Sequence, residues 1–308
     1  MKTVLCSKGG GIMKKRKIKL ESVISLIVLI FISLVCFIPF MMMISASFST
    51  EEALLRQGYG ILPRQFTLNA YRTVFANPED LKDAYIVTIL STLIATALGL
   101  FLTSLTAYPL SRRDYVWRKK LSGYFYFPCL FSGGAVASYI LITQYLKLAN
   151  TFAVLVIPGM MTVWNMFVMR TYFMSIPAEV IESARVDGAG EFMTFLRIAL
   201  PMNQVGLATI GFLIMLTHWN SWYACLMYMS NGKYMTLQFY LTQIMSSIDS
   251  MMNLGASGSV AFAVDESILP RESVRMAICF LAVAPMTLVF LYFQKYFSKG
   301  INLGSVKG

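Results

Sequence analysis

Apolar residues along this chain gather into six long blocks, roughly 23–47, 84–109, 122–146, 153–174, 203–228 and 275–295, with shorter polar stretches between them. Each block is close to the ~20 residues a helix needs to cross the hydrocarbon core of a bilayer. The pattern predicts an all-α polytopic membrane protein with six transmembrane helices. Pro39, Pro128, Pro158, Pro285 and the pair Gly133–Gly134 fall within or near these blocks. Such breakers are tolerated where neighbouring helices re-satisfy the backbone. No internal repeat is visible.

Composition agrees with that reading. Of 308 residues, 57% are hydrophobic and 13% charged, and the mean hydropathy is +0.64. The net charge of +11 does not point to nucleic acid, because the cations sit at the ends of apolar blocks. One cluster is Lys14, Lys15, Arg16, Lys17 and Lys19; another is Arg112, Arg113, Arg118, Lys119 and Lys120. With both termini placed in the cytoplasm, the inner side carries 18 of the 26 Lys and Arg and the outer side 8, as the positive-inside bias requires. The expected division is a cytoplasmic basic tail (1–21), a first span (22–48) and an extracytoplasmic loop (49–83). A five-helix core (84–296) follows, with a cytoplasmic loop at 175–201 and a Ser-, Gly- and Met-rich outer loop, partly mobile, at 229–274. Residues 297–308 form a cytoplasmic tail. The first block runs uncharged from Val23 to about Phe48, too long for a signal-peptide core, and reads as a retained anchor.

The blocks are poor in chemistry. Away from their ends, His218 and Arg170 are the exceptions to an uncharged interior, whereas proton relays and ion pathways need ionisable groups in the membrane. His218, beside Trp219, has no second ligand at helical spacing and reads as packed or hydrogen-bonded. Cys36, Cys129, Cys225 and Cys279 lie in apolar runs and Cys6 in the tail; they read as packing residues. The only Gly-Lys pair, Gly232–Lys233, is followed by Tyr, so no phosphate-binding loop is present. No catalytic, metal or cofactor residue is expected here, and any driving energy must come from another chain.

One polar stretch therefore stands out, SIPAEVIESARVDGAGEFMTFLRIALP from Ser175 to Pro201. Ser175 as cap, Pro177 in the first turn and Glu179 and Glu182 near the positive end predict a helix. It should stop near Asp187, with Gly188 taking the left-handed conformation. A second helix with Phe192, Phe195, Ile198 and Ala199 on an apolar face should follow. The first helix puts Ile181, Ala184 and Gly188 on one face, small enough for close approach to a partner. The competing reading is a solvated loop with Glu182 and Arg185 as a weak i,i+3 pair.

Glu182-Ser183-Ala184, then three residues, Gly188, then nine residues and Ile198-Ala199-Leu200-Pro201, resembles the EAA signature of ABC-importer permeases. Ser183 stands where that family often has Ala, and Asp187 fits the form frequent in sugar permeases. Leu62-Pro63 with Phe66 to Tyr71, Ala107 to Arg112, Trp219-Asn220, Lys299-Gly300-Ile301 and Gly304 to Gly308 extend the resemblance. The chain is similar to a maltose-permease-type second subunit, near relatives that import oligosaccharides from polysaccharide breakdown. The resemblance implies the type I ABC importer permease fold, with the loop as a cytoplasmic coupling helix. Glu182, Ser183, Ala184, Asp187, Gly188, Ile198, Leu200 and Pro201 would form the ATPase-coupling site. It also implies a homologous permease as partner, two ATPase subunits that carry ATP and Mg, an extracytoplasmic solute-binding protein, and a bacterial-type cell membrane.

Aromatic faces and amides are the usual means of holding a polyol, which makes Trp219, Asn220, Trp222 and Tyr223 candidates for the substrate pathway. Helix packing or an interfacial belt is the competing reading of the same residues. A secondary transporter would need intramembrane charges, and a membrane enzyme would need converging polar groups. An ABC permease for a non-sugar solute would keep the loop signature and is the alternative that remains.

Overall fold

The computed structural model describes residues 20–131, 133–256 and 271–304. Among them the regular structure is helical, with one isolated antiparallel bridge between Ser49 and Phe66. Expectations for the tail up to residue 19, for 257–270 and for 305–308 lie outside the described residues.

The chain begins with α1 (Leu20–Ser47), then two short helices, α2 (Glu51–Gln57) and α3 (Asn69–Val74), in the expected outer loop. The 34-residue α4 (Pro78–Ser111) starts with Pro78 in its first turn and Glu79 and Asp80 behind it, a start favoured by proline's fixed φ and by the helix dipole. It therefore begins about two turns before the apolar block does. The third block is divided into α5 (Arg118–Leu130) and α6 (Gly134–Ile140), the latter running into a π turn, Leu141–Tyr145; the break lies at the Gly pair.

The fourth and fifth blocks do not form single long helices. The fourth gives α7 (Ala153–Val156) and α8 (Val163–Met174). Pro158 cannot donate to a helical ladder, and Thr162 restarts the helix by accepting a bond from the Asn165 amide at 3.2 Å. The 12 residues of α8 are only about 18 Å long. After α9 (Ala178–Val186) come α10 (Glu191–Thr194), a π turn over Phe195–Ala199, and α11 (Leu200–Met202). The fifth block gives α12 (Gln204–Trp219), bent by 84° from the helix before it, and α13 (Tyr223–Tyr228), with a break at 220–222. Among the described residues three helices, α1, α4 and α15 (Arg271–Gly304), are long and apolar enough to cross a membrane, or five spans if each of two bent pairs counts as one.

The expected outer loop at 229–274 carries a 20-residue helix, α14 (Leu237–Ala256). Leu237, Tyr240, Leu241 and Ile248 are buried at helical spacing, and the Thr88 hydroxyl of α4 accepts from the Leu237 amide at 2.7 Å. Two large apolar clusters result. One joins α3, the start of α4, Trp219, α14 and α15. The other joins the end of α4, α8, α9, the π turn and α12. In α4, Gly99 permits the closest approach: a Cβ there would lie 2.1 Å from the Met160 carbonyl oxygen.

At the start of α15 the Glu51 side chain of α2 is buried. Its carboxylate accepts from the Glu272 amide at 2.9 Å and from the Ser273 amide and hydroxyl at 3.0 Å each. An acidic group from 221 residues away thus satisfies amides that a helix start leaves open.

Candidate functional site

The loop after α8 is a helical unit seated on the second cluster. Ser175 does not cap α9 as the sequence predicts. It closes α8, its hydroxyl donating to the Tyr172 carbonyl at 2.7 Å, and Pro177 takes the N-cap position instead. Ser175 follows α8 too closely to start a new helix, and extended Pro177 makes the turn. The end of α9 follows the expectation. Gly188 has φ +81°, the Ala189 amide bonds the Ala184 carbonyl at 2.9 Å, and the Gly188 amide bonds the Arg185 carbonyl at 3.0 Å. That pair of bonds is the Schellman closure that a left-handed glycine permits.

The orientation of α9 differs from the sequence reading. Ile181 and Ala184 are buried, and Ile181 packs into this chain's own core. The small-residue face is thus used within the chain. Glu182, Ser183, Val186, Asp187 and Gly188 form the exposed edge. Glu182 forms no ion pair with Arg185, nor with any other described residue. Ser183 turns its hydroxyl back to the Val180 carbonyl at 2.9 Å.

Downstream, Phe195 and Ala199 are buried, Ile198 and Leu200 half-buried, and Phe192 and Pro201 exposed, so the expected apolar face is realised except at Phe192. Pro201 has no N–H and its ring crowds the carbonyl four residues earlier, and the helix widens into its π turn just before it.

Arg185 ties this unit to the segment after α4. Its Nε donates to Glu191 at 2.7 Å, and its Nη2 lies 2.7 Å from Asp114. Asp114 also receives two parallel bonds from Arg112, at 3.1 and 3.0 Å. The Arg112 guanidinium, and then Arg185, hold the Asp114 carboxyl well below the usual carboxylate range. Under this ionic relay Tyr108 meets Phe173 edge-on at 5.7 Å and Phe195 at 5.3 Å. Sequence reasoning missed Asp114 and Glu191, and it named Tyr108 and Arg112 only for resemblance and charge, without this role. A signal existed for one of them, since Asp114 is the only acid within the basic stretch 110–121.

The four candidates at the end of the fifth block lie together where that block breaks. Trp219 is buried and its indole N–H donates to the Ala282 carbonyl at 2.9 Å. Asn220 donates to the Leu216 carbonyl at 2.9 Å and accepts from Gln238 at 3.3 Å. Trp222 and Tyr223 are exposed and meet edge-to-face at 6.1 Å. Gln238, beside Asn220, was not a sequence candidate. His218 is buried, as expected.

Comparison with known proteins gives this geometry a context. Residues 9–303 match the family described as binding-protein-dependent transport system inner membrane component. YtcP of Bacillus subtilis, a polygalacturonan/rhamnogalacturonan transport system permease protein, is 33% identical over 280 residues, which is 91% of this chain and 96% of YtcP. MalG of Thermococcus litoralis, a trehalose/maltose transport system permease protein, is 25% identical over 302 residues, covering 94% and 98%. Among solved structures, a bacterial ABC transporter involved in the import of the acidic polysaccharide alginate superposes with a TM-score of 0.73 at 24% identity, over 92% of this chain and 98% of that one. With a match that spans nearly its whole length, the chain belongs to the family of binding-protein-dependent transport system inner membrane components.

Proposed function

We propose that this chain is a permease subunit of an ABC importer that takes up an oligosaccharide delivered by an extracytoplasmic binding protein. A homologous permease supplies the other half of the pathway, and two copies of a separate ATPase bind on the cytoplasmic side. Both termini and α9 face the cytoplasm, in keeping with the distribution of Lys and Arg. Six crossings are then made with three of them interrupted, non-helical backbone at membrane depth being tolerated where protein or a cavity covers it.

The observation that carries this reading is the exposed edge of α9, which ends in the left-handed Gly188 and leaves Glu182 without an ion-pair partner among the described residues. It is a preformed acidic helix seated on a rigid core, suited to insertion in a partner's cleft. ATP-driven closure of the ATPases would move α9 and shift the spans between two arrangements. Sugar relatives such as YtcP and MalG support the cargo class. Asn220 and Gln238 amides with the exposed Trp222 and Tyr223 rings supply suitable contacts at the break. Glu182→Lys is expected to abolish co-purification of the ATPase and uptake while the chain still inserts; full complex yield with full uptake would sink the reading. Binding of an oligosaccharide panel to the cognate binding protein identifies the cargo.

A further inference from the structure

The segment between α4 and α5 and the first turns of α5 form a basic pocket that the coupling reading does not use. Arg113, Tyr115, Arg118, Lys119 and Ser122 line a cavity of about 680 Å³, together with Arg170 of α8. Asp114 also lines it, but both its oxygens are engaged by Arg112 and Arg185. None of Arg113, Arg118, Lys119, Lys120 and Arg170 has a carboxylate partner among the described residues. Their other contacts are weak: Arg118 reaches the Met174 sulfur at 3.9 Å and Lys120 sits 4.9 Å from the Trp117 ring. Arg170 donates to the Ser122 hydroxyl at 3.4 Å, and its Nε is buried with no partner among the described residues.

The surroundings decide what anion fits. Beyond the pocket α5 has no buried residue and is largely aromatic and apolar, with Tyr124, Tyr126, Phe127 and Leu130 exposed, and Val116 and Trp117 stand exposed just before its first turn. Cations at the foot of an open apolar helix, with a Trp between them, match the headgroup level of a bilayer. A soluble acidic partner would satisfy the charges and leave α5 uncovered, and the apolar helices of a partner permease would cover α5 and leave the cations open. We propose that this pocket binds the phosphate of an anionic phospholipid headgroup, whose acyl chains lie along α5. The inference rests on the proposed topology in one respect, that this end of α5 meets a leaflet rich in anionic lipid.

The test uses the purified full chain in detergent, without ATPase, and native mass spectrometry with phosphatidylglycerol or phosphatidylcholine. Phosphatidylglycerol is expected to be retained over phosphatidylcholine, and Arg170→Gln and Lys119→Gln each to lower its affinity about fivefold. Arg170→Lys should restore most of the loss, and Lys295→Gln, a cation on α15, should change nothing. Equal retention of the two lipids, or unchanged phosphatidylglycerol binding in the double variant, overturns the proposal. Displacement by millimolar inorganic phosphate would reassign the pocket to a soluble anion. Loss of ATPase co-purification in the double variant, with lipid retention intact, would reassign it to protein docking. Glu182→Lys should leave lipid retention unchanged, which separates failure of this inference from failure of the coupling reading.

Discussion

Two carboxylate clusters hold the ends of this molecule, and they are built in opposite ways. At the start of α15, Glu51 is buried and receives three hydrogen bonds from groups of a helix start. Near α9, Asp114 and Glu191 are exposed, and the guanidinium of Arg185 shares itself between them. A buried carboxylate cannot let go of its partners without being left unsatisfied. A solvated ion pair exchanges partners at little cost. The first arrangement suits a joint that stays closed, the second a joint that can open and re-form, as the proposed coupling role of α9 would require.

The largest expected effect is at Glu51. Glu51→Ala should lower stability by about 2–4 kcal/mol, since it removes charge-assisted bonds and leaves buried amides open, and a fall in the thermal unfolding midpoint of the purified chain would register it. An unchanged midpoint would erase the contrast between the clusters. Gly188→Val comes next. A β-branched residue at φ +81° costs about 1–2 kcal/mol, and the loss should appear as reduced uptake and ATPase assembly more than as lost membrane insertion.

Asp114→Ala and Arg185→Ala, singly and together, should show a coupling energy below about 1 kcal/mol, weaker still in high salt. A larger, salt-independent value would make the relay a fixed joint like the first. The smallest effect is in pH. Because the folded Asp114 carboxyl is held below its ordinary value of about 3.9, its contribution is complete above that value and fades as pH falls beneath it. Unfolding midpoints should thus be flat in this respect from pH 8 to 5, with the acid-side loss smaller in Asp114→Asn.

How much of this was legible in the sequence follows from the range of each interaction. The apolar blocks, the helix at 178–186 and the turn at Gly188 are local patterns, and residue order alone specifies them. Hydropathy averaged over a block cannot register three residues of broken helix, so the interruption at 220–222 was hidden within an apolar run. The buried face of α9 was misjudged because a small residue such as Ala184 allows close approach to any neighbour, its own chain included. The bond between Glu51 and α15 spans 221 residues, and nothing near either end announces it. Asp114 was visible as an isolated acid among cations, but its partner Arg185 lies in another loop.

α1 is the most exposed of the three long helices, although it runs against α15. The 18-residue apolar window that qualifies it as a span has no buried residue, and burial begins only in its last turns, at Ser45, Ala46 and Ser47. Its helical hydrogen bonds are internal, so it needs no other part of this chain in order to form. Assembly therefore has a natural order. α1 can be threaded into the bilayer and held there while the remaining elements are still being made, and α15, the last of them, closes against it.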